Sequence, residues 1–71
     1  MKLSELDNGK SALIREVKGN DDLSRQIKEM GFVPGSTVRV HSRGPFGSPI
    51  VVELRGATIA MRKNEAERVE L

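Results

Sequence analysis

Gly31, Pro34 and Gly35, in the stretch EMGFVPGSTVRV at 29–40, constrain the fold of this chain more than any other feature. A glycine at the position of Gly31 accepts the left-handed conformation that closes a helix. Pro34-Gly35 fills the two central positions of a type II turn, because Pro presets φ at the first and Gly takes positive φ at the second. The residues before this punctuation are helix-like and those after it alternate as a strand. A helix must therefore stop, the chain reverse and a strand begin within a few residues.

The helix is read from its stripe. Leu23, Ile27 and Met30 are spaced four and three apart, which predicts one apolar face on a helix of about three turns. Arg25, Gln26, Lys28 and Glu29 occupy the opposite face. Asn20 or Asp21 suits the N-cap, where a short side-chain oxygen accepts from a free first-turn N–H. Asp21 and Asp22 also match the positive end of the helix dipole. Phe32, just past Gly31, is placed to pack back onto the last turn.

Strands follow from period-two alternation and from turn residues. LSEL at 3–6 gives an apolar pair, and Asn8-Gly9 a turn. SALIREV at 11–17 carries apolar residues on both faces and is read as one strand. TVRVHSR at 37–43 points Val38 and Val40 inward and Thr37, Arg39, His41 and Arg43 outward. After the tip GPFGSP, IVVELR points Ile50, Val52 and Leu54 inward. If Val40 faces Val52, Arg39 faces Glu53, a cross-strand pair contributing about 0.2–1 kcal/mol. Gly56 turns the chain into the strand ATIAMR. KNEAERV then makes one helical turn capped by Asn64, and RVEL closes as a last strand.

Seventy-one residues bound the size of the core. Only about 60% of the unfolded surface can be buried at this length, so one domain spanning 1–71 is expected. With Phe32 and Phe46 as the only aromatics, that core is aliphatic. Five short strands and one helix at this length fit a mainly β, small, half-open SH3-like barrel of five strands, with the helix plugging one side. The helix follows the first strand, and the short helical turn precedes the last.

The absence of cysteine excludes disulfides, thiolate metal sites and a Cys nucleophile. No apolar run approaches the roughly 18 residues of a membrane span, and no leader-like segment follows Met1, so membrane insertion is not expected and a cytoplasmic location is. The net charge of +2 is too small to argue for nucleic acid by itself.

EMGFVPGSTVRV, GPFGSPIVVELRG and IAMRKNEAERVEL, in that order, resemble the FeoA family. Its members show an L-x-x-[LM]-G-[FL]-x-P-G pattern, a Pro-containing hairpin tip and an [IL]-A-[LM]-R-x-x-E-A ending. Met30, Gly31, Phe32, Pro34 and Gly35 fall on the first pattern, with Ile27 in the place of its leading Leu and Leu23 one turn earlier. Ala60, Arg62 and Ala66 fall on the last. The resemblance runs from Leu3 to Leu71. It implies a small cytosolic SH3-like protein that accompanies FeoB, the membrane protein of bacterial ferrous iron uptake, and modulates it by contact with its cytosolic region, without enzymatic activity. The module is also similar to the C-terminal domain of DtxR-type iron-dependent repressors. A start at Met1 and the lack of a helix-turn-helix favour a free-standing protein.

Two surfaces are candidates for partner binding. At the tip, Pro45, Phe46 and Pro49 present an aromatic on a stiff loop, a good interface anchor; the simpler alternative folds Phe46 back onto its own barrel. The outward row Arg39, His41 and Arg43, extended by Arg55 or Arg62, would suit an acidic partner or a phosphate backbone. A solvated face partly neutralised by Glu53 explains that row more economically, and no aromatic platform accompanies it. Nucleic acid is therefore disfavoured, and an SH3-like nucleic-acid module stands as the alternative function beside a metal-responsive regulatory domain.

His41 is the one candidate metal ligand, with Glu53 as its neighbour. A lone imidazole without a second ligand at helical spacing is a poor site, so no cofactor is expected beyond weak transition-metal binding. A barrel this small offers no deep pocket to shift pKa values, and GPFGSP lacks the Lys and helix of a phosphate loop, so no catalytic residue is assigned. Nothing in the residues specifies an oligomeric state.

Overall fold

Adjacent residues Ile14 and Arg15 send their N–H groups to different parts of the molecule. Ile14 donates to Ser36 O at 2.8 Å, and Arg15 donates to Glu70 O at 2.7 Å. The run read as one strand is thereby divided into β1 (Ser11–Leu13) and β2 (Glu16–Val17), which belong to different sheets. The computed structural model describes residues 1–71.

The remaining elements are a 3-10 turn at Leu3–Glu5, α1 (Asp22–Glu29), β3 (Thr37–Arg43), a 3-10 turn at Pro45–Gly47, β4 (Ile50–Leu54), β5 (Ala57–Met61), α2 (Lys63–Ala66) and β6 (Val69–Glu70). One antiparallel sheet has the order β1-β3-β4-β5, and β2 pairs with β6 in a second. The expected five-stranded barrel is corrected accordingly: six strands form two open sheets. The extra strand comes from the division at Ile14–Arg15, which an uninterrupted apolar pattern conceals. No helix is long and apolar enough to cross a membrane.

Fourteen apolar residues make one buried cluster. Val38, Val40, Ile50, Val52, Leu54 and Met61 come from the large sheet, Ile27 from α1, Ala66 from α2, and Leu3 and Leu6 from the first turn. Phe32 is wholly buried among them. An aliphatic or Phe side chain buried to this degree contributes about 1.5–3 kcal/mol.

The helix α1 has eight residues, about two turns. Asp21 is its N-cap and accepts from the Ser24 N–H at 3.2 Å. The expected stripe is only partly realised. Ile27 and Ser24 are buried and Leu23 is half-buried, whereas Met30 is 42% exposed. Met30 is the C-cap, one residue past the helix, and Gly31 at φ +108° turns the chain so that Phe32 fills the space in its stead.

The turn at Pro34-Gly35 is as expected: Gly35 has φ +90° and the Ser36 N–H donates to Val33 O at 3.1 Å. In β3 and β4, Val40 pairs with Val52 and Arg39 with Glu53, also as expected. Beyond Val40 the register slips, so that Ser42 opposes Val51 and His41 is the bulged residue. Arg55 and Gly56 form a two-residue hairpin turn with φ +52° and +82°, the signs of a type I′ turn. Asn64 lies inside α2 rather than capping it. Arg62 holds the N-cap position, and its backbone N–H donates to the Glu65 carboxylate at 2.7 Å.

Candidate functional site

The hairpin tip between β3 and β4 is built from residues that leave no latitude. The Gly44 N–H donates to Pro49 O at 2.8 Å, and the Gly47 N–H donates to Gly44 O at 3.1 Å. A Cβ on Gly44 would lie 2.5 Å from Ser48 O and 2.8 Å from Pro49 Cδ, so only glycine fits there. The Ser48-Pro49 peptide is cis. Inside this frame Phe46 stands at φ +63°, a conformation that costs an L residue about 1–2 kcal/mol.

Phe46 is 100% exposed. Of the two readings open to it, the fold adopts display rather than packing onto the barrel. Pro45 and Pro49 flank it, both exposed. Gly44 was not among the residues read from the sequence as important. Its signal is weak, since a glycine before a proline marks a turn without saying that a carbonyl will approach it.

Arg43 does not belong to the exposed basic row, and its expected outward placement is corrected. Its guanidinium donates to Asn8 Oδ1 at 2.7 Å, to Ser4 O at 3.0 Å and to Leu6 O. The bulge at His41 reverses the alternation of β3, which carries Arg43 from the outer face to the seam with the amino-terminal segment. Arg39 stays exposed on the outer face, in register with Glu53. The Glu53 carboxylate also lies beside His41, with Nε2 3.8 Å from Oε1. Arg55 donates to Ser36 Oγ at 3.0 Å, and Arg62 is exposed. The cations therefore do not form one continuous row.

His41 and Glu53 together supply two donors, both partly exposed. No group of three or more His, Asp or Glu side chains comes together. Of the motif residues, Ala66 is buried at the core, Ala60 is exposed on β5, and Gly31, Phe32, Pro34 and Gly35 shape the passage from α1 to β3.

A half-open groove of about 460 Å³ lies beside that passage, with Val17, Phe32, Val33 and Pro34 as its apolar lining and Glu16 and Lys28 among its polar residues. The groove has no local signal in the sequence, because its two walls, at 16–20 and 28–34, are brought together by the fold, with Gly35 N–H donating to Ile14 O at 3.0 Å beside them.

Asp21, Ser24 and Arg68 form a polar staple between α1 and the carboxy-terminal segment. Arg68 Nη1 donates to Asp21 Oδ1 at 2.5 Å and to Ser24 Oγ at 2.9 Å, while Ser24 Oγ donates to Lys18 O at 2.6 Å. The bond from Arg68, then those from Ser24, hold the Asp21 carboxyl down to about 2 from its ordinary 3.8. The Glu70 carboxyl is also held below its usual range, chiefly by the bond from the amino-terminal ammonium.

The FeoA domain model matches residues 1–71. The chain is 34% identical over 71 residues to an Fe(2+) transport protein A/Fe(2+) transporter FeoB fusion protein of Porphyromonas gingivalis, covering 100% of this chain and 8% of that protein. It is 25% identical to a putative Fe(2+) transport protein A of Campylobacter jejuni, covering 100% of this chain and 96% of that one. Among solved structures, Stenotrophomonas maltophilia FeoA complexed with zinc, described as an SH3 domain protein, superposes with a TM-score of 0.88 at 39% identity, over 99% of this chain and 87% of that one. A manganese-dependent transcriptional repressor shares the fold at 21% identity and a TM-score of 0.85, over 97% of this chain and 39% of that one. With the family model covering the whole chain, and the SH3-like fold common to it and its neighbours, this chain belongs to the FeoA domain family, which is associated with ferrous iron transport.

Proposed function

We propose that this chain is a non-enzymatic accessory protein of ferrous iron uptake, acting in the cytoplasm by direct contact with the cytosolic region of a FeoB-type transporter. The fusion of the two modules in the Porphyromonas gingivalis relative supports the pairing, since covalent linkage keeps partners at high effective concentration. The observation that carries the contact is the full exposure of Phe46 on a rigid tip. A large aromatic held away from its own core, at a backbone cost, gains from burial only when a second surface covers it.

Pro45 and Pro49 stiffen this anchor, and Arg39 supplies a charge on the adjoining sheet face. No resident cofactor is proposed. His41 with Glu53 offers a two-donor site suited at most to weak transition-metal binding. The test is recovery of the transporter's cytosolic region by the wild type and by Phe46→Ala. Strongly reduced recovery by the variant supports the reading, and equal recovery removes the tip from it.

A further inference from the structure

We propose that the free edge of β5 is a second interaction surface, one that takes up an extended acidic segment of a partner as an added strand. It is separate from the tip and does not depend on Phe46.

The hydrogen-bond pattern identifies which groups face outward. Val40 exchanges bonds with the segment before β1, donating to Lys10 O at 3.0 Å and accepting from the Gly9 N–H at 2.6 Å. Alternation then directs Arg39 toward β4, Glu53 toward β3, and Val52 and Leu54 toward β5. Their partners Ile59 and Ala57 are used in that ladder, and Met61 with them, opposite Ile50. The N–H and C=O groups of Thr58 and Ala60 are left pointing off the sheet. They take part in no turn, loop or cap hydrogen bond.

Natural sheets blunt such an edge with proline, a bulge, a charge within the strand or a covering element. Here β5 is ATIAM, with none of the first three, and β5 is the last strand of its sheet. Ala57, Thr58 and Ala60 are exposed, and their small side chains leave the backbone open to approach. Ile59, half-buried against the core, offers an apolar contact to an aliphatic residue on an incoming strand.

Charge selects the occupant. Arg62 and Lys63 follow β5 at one end, both exposed, whereas Arg55, in the turn at the other end, donates to Ser36 Oγ. Of the acids on these elements, Glu65 accepts from the Arg62 N–H and Glu53 lies beside His41. A second copy pairing antiparallel about Ile59 would bring the Arg62-Lys63 end of each strand toward the Arg55 turn of the other, like charges that oppose association. A strand carrying Asp or Glu meets Arg62 and Lys63 at one end instead, while its backbone completes the ladder at Thr58 and Ala60.

The experiment uses two seven-residue probe peptides, one alternating Glu and Val and one alternating Lys and Val, titrated into the ¹⁵N-labelled full chain. With the Glu/Val peptide the amides of Thr58 and Ala60 shift, and their hydrogen exchange slows by about tenfold or more at saturation. The Lys/Val peptide leaves them unchanged. Reversing charge with R62E and K63E weakens the Glu/Val peptide by about tenfold, and F46A leaves it untouched, which separates this surface from the tip.

Ala60→Pro removes one edge-directed N–H without a ladder bond and weakens binding too. Should that variant not fold, the exchange rates of the wild type decide. Absence of shifts at millimolar Glu/Val peptide, an equal response to Lys/Val, shifts confined to the groove or tip, or self-association through β5 without peptide would each overturn the proposal.

Discussion

Arg68 bonds Asp21 and Ser24 at once, reaching across 47 and 44 positions of the chain to tie the end of the molecule to the start of α1. The same cluster explains Gly19. A Cβ there would sit 2.6 Å from Ser24 Oγ and 3.2 Å from Arg68 Nη1, and φ is +97°.

Acid should loosen this staple. The Asp21 carboxyl is held lower in the folded chain than in the unfolded one, so its stabilisation is fully present above about 3.8 and is lost as pH falls through about 2. Asp21→Asn keeps an N-cap oxygen but cannot ionise. Urea unfolding between pH 5 and 2 should show a steeper loss for the wild type than for the variant. Parallel curves would mean that Arg68 contributes nothing through charge.

Gly19→Ala should destabilise the chain by about 2 kcal/mol, the sum of left-handed strain and a displaced Ser24 hydroxyl. In a Ser24→Ala background the hydroxyl is gone and the cost of Gly19→Ala should fall by at least about 0.5 kcal/mol. Denaturant midpoints of the four species of that cycle measure it.

Arg43→Ala should cost about 2 kcal/mol, because it strips donors from Asn8 and from the carbonyls of Ser4 and Leu6 together. Arg39→Ala, on the outer face, should stay within about 0.5 kcal/mol. Equal values for the two would return Arg43 to the solvated row.

Phe46→Ala should leave stability within about 0.5 kcal/mol of the wild type, since the ring touches no core. Gly44→Ala, which retains Phe46 but forces the carbonyl of Ser48 aside, should nonetheless lower recovery of the transporter's cytosolic region. Undiminished recovery by Gly44→Ala would mean that tip geometry is irrelevant to contact.

What the sequence disclosed was set by local chemistry. The closing glycine at Gly31, the Pro34-Gly35 turn and a cap at Asn20 or Asp21 each follow from one residue's φ preference or one side chain's reach, and alternation put Val40 and Val52 on the same inward face. Features requiring knowledge of a distant partner stayed hidden. SALIREV reads as one strand because its division depends on carbonyls at Ser36 and Glu70. The bulge at His41 leaves no trace in composition, yet it reassigns every residue after it, Arg43 included. Met30 fits the helical stripe but falls one residue beyond the helix it was counted into. The tip's residues were legible as a stiff loop, while the direction taken by Phe46 was not.

The complete separation of Phe46 from the fourteen-residue core uncouples the chemistry of that side chain from the packing of the fold. Substitutions at that one position can alter the exposed surface of the tip without removing a contact from the core of so short a polypeptide.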